Sequence, residues 1–179
     1  MTITGSCMCG GITYAIEADS YLAALCHCTD CQKVIDPALL TISLTIPQRK
    51  KHQKVNQNQW TGGAFTSNAV VPRTSFKVTK GKPIKKPESP IHLMQTGTPT
   101  TYDVTGASGK INKHFFCSTC GSSLYTELEV MPDNTVVKAG GLDGGEANLR
   151  GKIDVEFYVK DRPSYLAAVE GAKQEPMFG

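Results

Sequence analysis

The sequence predicts a mainly β, antiparallel domain that ends in one short helix. Three observations carry this prediction. Short runs rich in β-branched and aromatic residues recur with partial apolar and polar alternation, separated by glycine and proline. Only one stretch near the C-terminus has convincing helical character, and no apolar run is long enough to span a bilayer. The chain's 179 residues, 40% hydrophobic and 20% charged, fit one domain with a real core.

In chain order, the predicted strands cover residues 11–17 (GITYAIE), 65–71 (FTSNAVV), 76–80, 110–116, 123–130, 135–139 and 154–159 (DVEFYV). The helix is predicted over 163–170, PSYLAAVE, with its proline near the first turn. Glycine-rich GGLDGG, 140–145, lacks the lysine-serine ending and the strand-then-helix setting of a phosphate loop, so it reads as a turn. No internal repeat of solenoid length is present.

Seven cysteines fall into three groups: Cys7 and Cys9, then Cys26, Cys28 and Cys31, then Cys117 and Cys120. The opening MTITGSCMCGG lacks the basic-then-apolar layout of a secretory signal, so the expected location is cytoplasmic. In a reducing compartment, grouped cysteines serve as metal ligands or reactive thiols more often than as disulfides, and an odd count points the same way. Zinc takes four thiolates tetrahedrally at about 2.3 Å. If the two pairs close one site, that site is complete and structural, because its binding energy becomes folding energy. The triplet then supplies three ligands and leaves the open position that a catalytic zinc needs, so two zinc ions per chain are expected. His27 or His114 could instead complete the triplet into a second closed site, and a thiol redox role is its main rival.

GSCMCGGITYAIE, CHCTDCQK and HFFCSTCGSSLYTE, in that order, resemble the glutathione-dependent formaldehyde-activating enzyme family, which includes the centromere protein V relatives. The resemblance spans most of the chain. It implies a zinc-bearing β-rich fold often called a β-tent, with a structural four-cysteine zinc and a three-cysteine zinc where glutathione adducts meet the metal. The implied activity is that of a carbon–sulfur lyase acting on S-(hydroxymethyl)glutathione or a related small adduct, with glutathione as co-substrate. A non-catalytic, zinc-stapled binding protein of the centromere protein V type is the alternative. Within this frame Asp30 and His27 are candidates for orientation or proton transfer beside the triplet, and Gln32 and Lys33 for meeting a glutathione carboxylate.

Two segments depart from the family pattern. Residues 35–60 separate CHCTDCQKV from TGGAF, and residues 82–97 separate FKVTKG from TTYDVTG. Both read as insertions into a single domain of residues 1–179, as translated introns or, alternatively, as surface loops. Of the chain's net charge of +3, the first insert holds +3 and the second +2, which leaves −2 on the rest. The basicity belongs to the inserts, so the domain itself is expected to bind a small molecule and neither nucleic acid nor membrane. Sequence patterning is silent on oligomeric state.

Overall fold

The structure, a computed structural model, describes residues 1–32, 62–80, 98–106 and 108–178. Lys33 and the predicted inserts 35–60 and 82–97 lie outside the described residues. The strands are β1 (Thr2–Ser6), β2 (Ile12–Glu17), β3 (Leu22–Cys26), β4 (Thr66–Pro72), β5 (Phe76–Lys80), β6 (Thr100–Thr105), β7 (Ile111–Phe116), β8 (Ser123–Leu128), β9 (Asn134–Lys138), β10 (Val155–Phe157) and β11 (Lys173–Glu175). Among the described residues they form a three-stranded sheet, ordered β1-β2-β5, and an eight-stranded sheet, ordered β11-β10-β3-β4-β9-β8-β7-β6.

Period-two alternation explains why the two sheets pack. In β2, Ile12, Tyr14 and Ile16 are buried while Thr13 and Ala15 are less so, which presents one apolar face to the large sheet. That face meets Ala69 and Val71 of β4 and Val137 of β9, together with Ile3 of β1. Burying each such aliphatic side chain stabilises by roughly 1.5–3 kcal/mol. Aromatic rings continue the contact across both sheets: Phe115 stacks on Tyr125 at 4.2 Å, Tyr125 packs on Phe76 at 4.6 Å, and Phe76 on Tyr14 at 5.6 Å.

The mainly β prediction holds, with two corrections. The sheet is mixed, because β10 runs parallel to both β3 and β11. The predicted helix over 163–170 does not form, and the segment is built of turns. One turn closes, from the Leu166 N–H to the Pro163 carbonyl at 3.0 Å, but the Val169 N–H donates to Glu156 Oε2 at 2.8 Å instead of continuing a helix. So short a segment is marginal as a helix by itself, and the buried carboxylate offers its backbone a stronger acceptor. Within GGLDGG the predicted turn covers residues 143–145, with Gly144 and Gly145 at positive φ, after a short 3₁₀ helix that ends at Gly141 and a bridge from Leu142 to Gly5.

Candidate metal centres and cleft

The first cysteine group is assembled from two tight hairpin corners. Cys7 and Cys9 sit between β1 and β2, where the Gly10 N–H donates to the Cys7 carbonyl at 2.9 Å and Gly10 takes φ +70. Cys117 and Cys120 sit between β7 and β8 in a matching corner, with the Gly121 N–H on the Cys117 carbonyl at 2.8 Å and Gly121 at φ +72. Ser122 bridges the corners: its Oγ accepts from the Met8 N–H at 3.0 Å and lies 3.1 Å from Cys120 Sγ. The four sulfurs all lie within 4.8 Å of one another, with Cys7 to Cys9 at 3.4 Å and Cys9 to Cys117 at 3.7 Å. A tetrahedron with bonds of about 2.3 Å has edges of about 3.8 Å, so the donor set fits a thiolate-bound ion. Burial opposes ionisation of Cys120, but the Ser122 hydroxyl and the Ser122 and Cys9 backbone outweigh it and bring the thiol down to about 6.

The triplet lies elsewhere in the fold, where β3 runs into a turn. Cys26 ends β3, and the Cys31 N–H donates to the Cys28 carbonyl at 2.9 Å, folding the three sulfurs to within 4.8 Å of one another. Cys28 and Cys31 are closest, at 3.1 Å. Among the described residues no histidine or carboxylate joins this group, so neither His27 nor His114 closes it. Neighbouring thiols hold the charge unequally. Hydrogen bonds from Cys26 and Cys28, against burial and helped by Lys138 and Thr66, hold the Cys31 thiol well below its ordinary range, while Cys26 is pushed well above it. A divalent cation would remove this conflict by letting all three ionise.

His27 and Asp30, adjacent to the same cysteines, face opposite ways. The His27 ring is buried, with Nε2 2.9 Å from Glu156 Oε1 and its ring edge against Phe65. Glu156 is itself buried, and its Oε2 accepts from Arg162, the Val169 N–H and Gln174. Asp30 instead lines a cleft with the three cysteines, and burial first, then the Cys31 charge, raises its carboxyl to about 6. Gln32 is turned inward, its amide nitrogen donating to the His27 carbonyl and, at 2.9 Å, to the Asp161 carbonyl.

The cleft occupies the outer face of the large sheet and encloses about 690 Å³ of empty space, its open mouth included. Strand register places Ala24, Asn68 and Lys138 in one row across β3, β4 and β9, and Val70, Val136, Thr126 and His114 in the next. Phe157 and Phe178, stacked at 4.4 Å, wall the end nearest the cysteines. Tyr158 joins them from a left-handed conformation, φ 57, that a tyrosine adopts at a cost.

A family model described as glutathione-dependent formaldehyde-activating enzyme (GFA) matches residues 2–59 and 55–161. The chain belongs to this family. Both cysteine groups and the strands that carry them fall inside the match, and its two stretches meet within the first predicted insert. No curated protein matches this GFA member. A crystal structure of a Rhodobacter sphaeroides protein, a structural genomics target, aligns at 16% identity over 84% of this chain and 96% of that one, with a TM-score of 0.45.

Sequence reasoning grouped the thiols of this GFA protein as the fold groups them, but it passed over the polar residues beneath the cleft. Thr66 Oγ donates to Cys31 Sγ at 3.3 Å, Asn68 Nδ2 donates to Thr66 Oγ at 3.0 Å, and Lys138 Nζ donates to Asn68 Oδ1 at 2.9 Å. The signal was present in FTSNAVV, where Thr66 and Asn68 share the face of Val70 in a strand otherwise fit for complete burial. Glu156 was passed over too, being an acid flanked by Val155 and Phe157 in a run read as a strand.

Proposed function

We propose that this GFA protein is a zinc-dependent carbon–sulfur lyase acting on S-(hydroxymethyl)glutathione or a related small-molecule adduct. The observation that carries this reading is three convergent sulfurs, with no fourth ligand among the described residues, at the head of a cleft that also holds Asp30. Cys26, Cys28 and Cys31 would hold zinc, whose charge lowers the pKa of a thiol and favours negative charge on a neighbouring oxygen. The four sulfurs of Cys7, Cys9, Cys117 and Cys120 would hold the second, structural ion.

Addition of a thiol to formaldehyde forms one carbon–sulfur bond and opens the carbonyl π bond, and the thiol proton ends on the new hydroxyl oxygen. Asp30 would carry that proton, a reading supported by its being the acid that lines the cleft among the described residues. In the reverse direction it returns the proton to the departing sulfur. His27 and Gln32 act differently: both are bonded into the protein behind the cysteine turn, and they hold that turn in place. A cytoplasmic location, with its reducing pool, agrees with cysteines grouped as candidate metal ligands.

Metal analysis together with formaldehyde-dependent consumption of glutathione tests the proposal. Two zinc ions per chain, turnover abolished by chelator, and a Cys28→Ser variant with one ion and no turnover are the expected results. Full turnover in Cys28→Ser would overturn the catalytic assignment. The 3.1 Å separation of Cys28 and Cys31 also suits a redox pair. That reading gains if mild oxidation joins them with loss of metal.

A further inference from the structure

Polar groups in the cleft are arranged as a line. From Lys138 through Asn68 and Thr66 to Cys31, every group donates toward the sulfurs, so the line begins at the ammonium and ends at the cysteine cluster. Lys138 is half-buried at the end of β9, opposite Asn68. Among the described lining residues it carries the one fixed positive charge, since burial first and Lys138 second hold His114 neutral, down to about 4. An ammonium has three donors, and Asn68 Oδ1 is the acceptor it meets among the described residues. Val70, Val136, Leu128 and Phe157 make the surrounding walls apolar. A cation in such a setting attracts an anion more strongly than a solvated surface lysine does.

We propose that Lys138 is the specificity-determining residue of the cleft and receives a carboxylate of the thiol substrate whose sulfur reaches Cys26, Cys28 and Cys31. This rests on the reading of the cleft as a thiol site and adds the class of thiol it selects. Three hydrogen-bonded steps separate the ammonium from Cys31, an arrangement that suits a carboxylate several bonds from the sulfur, as in a cysteinyl peptide. The opposing carboxylate, Asp30, lines the same cleft next to the sulfurs in sequence, which leaves charge of opposite sign at separate places along the substrate.

The test is equilibrium binding by titration calorimetry to the zinc-loaded protein, using N-acetylglutathione and its diamide, two thiols that differ only in their carboxylates. Wild type is expected to bind the acid about tenfold more tightly or better, the value of one charge-assisted hydrogen bond. Lys138→Met should lose that preference, binding the acid no more tightly than the diamide, and Lys138→Arg should restore most of it. Equal binding of both thiols by wild type overturns the proposal. So does an equal loss for both thiols in Lys138→Met, which would mean that the lysine only balances the charge of the cysteine cluster. The wild-type comparison stands even if a variant fails to fold. Carboxylate preference without formaldehyde-dependent turnover would overturn the lyase reading and leave the role of Lys138 intact, whereas turnover without the preference would do the reverse.

Discussion

Asp30 and His27 show how two residues beside one set of cysteines take separate roles from the direction each side chain faces. Asp30 opens on the cleft, so its removal should touch chemistry and spare the fold. Asp30→Asn keeps the shape and removes the proton, and kcat is expected to fall by about a hundredfold or more with two zinc ions retained. Steady-state kinetics beside metal analysis check this, and an unchanged kcat would remove Asp30 from the mechanism. His27 is buried against Glu156 at 2.9 Å, so His27→Ala leaves a buried carboxylate oxygen without its partner. Denaturant unfolding is expected to show a loss of about 1–3 kcal/mol. Sequence could nominate both residues from CHCTDC, but only the fold, which pairs His27 with Glu156 and sets Asp30 on the cleft, tells them apart.

At the scale of elements, Glu156 shows why the C-terminal part was read less well than the centre. Alternating runs of β-branched and aromatic residues such as β2 and β5 declare themselves within a few residues, and their predicted ranges agree with the observed strands almost to the residue. β1, β3, β6 and β11 were not anticipated: β1 is broken by Gly5, β3 and β11 carry too few β-forming residues to stand out from their neighbours, and β6, TTYDVT, has strand composition but was passed over beside the second predicted insert. The segment 163–170 had helical composition, but a long-range bond to a buried acid decided its course, and composition holds no record of that bond. Glu156 also makes a pH prediction. Burial works against its charge, yet Gln174, the Val169 N–H, His27 and Arg162 outweigh burial and hold the carboxyl below its ordinary value. A carboxyl depressed in the folded state stabilises above the unfolded pKa, and that stability is lost as pH falls through about 4.3 toward the folded value. Glu156→Gln should therefore flatten the acid limb of the stability curve measured by urea unfolding, and an unchanged limb would show that the network holds no net charge stabilisation. A second element-level prediction concerns Gly5, where an added Cβ would strike the Tyr14 ring and lie 2.6 Å from the Gly141 carbonyl. Gly5→Ala should lower stability by about 1–3 kcal/mol or more through overpacking, read as a fall in Tm.

Across the whole molecule the two cysteine groups have different mechanical positions, and this separates their roles more firmly than ligand count does. Cys7 and Cys117 are buried in the core between the sheets, and they join the β1–β2 corner of the small sheet to the β7–β8 corner of the large one. Cys26 and Cys31 pack in a separate small cluster with Tyr158, on the outer face of the large sheet, where β3 is already held by β4 and β10. An ion at the first site closes a loop of more than a hundred residues in sequence, so its affinity adds to folding, and structural zinc in small peptides contributes roughly 10–16 kcal/mol in apparent terms. An ion at the second site joins residues one turn apart and closes no such loop. Cys117→Ser and Cys28→Ser should each lower metal content to one ion per chain, but only the first should cause a large drop in Tm or a failure to fold, while the second should unfold within a few degrees of wild type with turnover abolished. Thermal unfolding and metal content measured on both variants decide the matter, and equal destabilisation would mean that the triplet also holds the fold together.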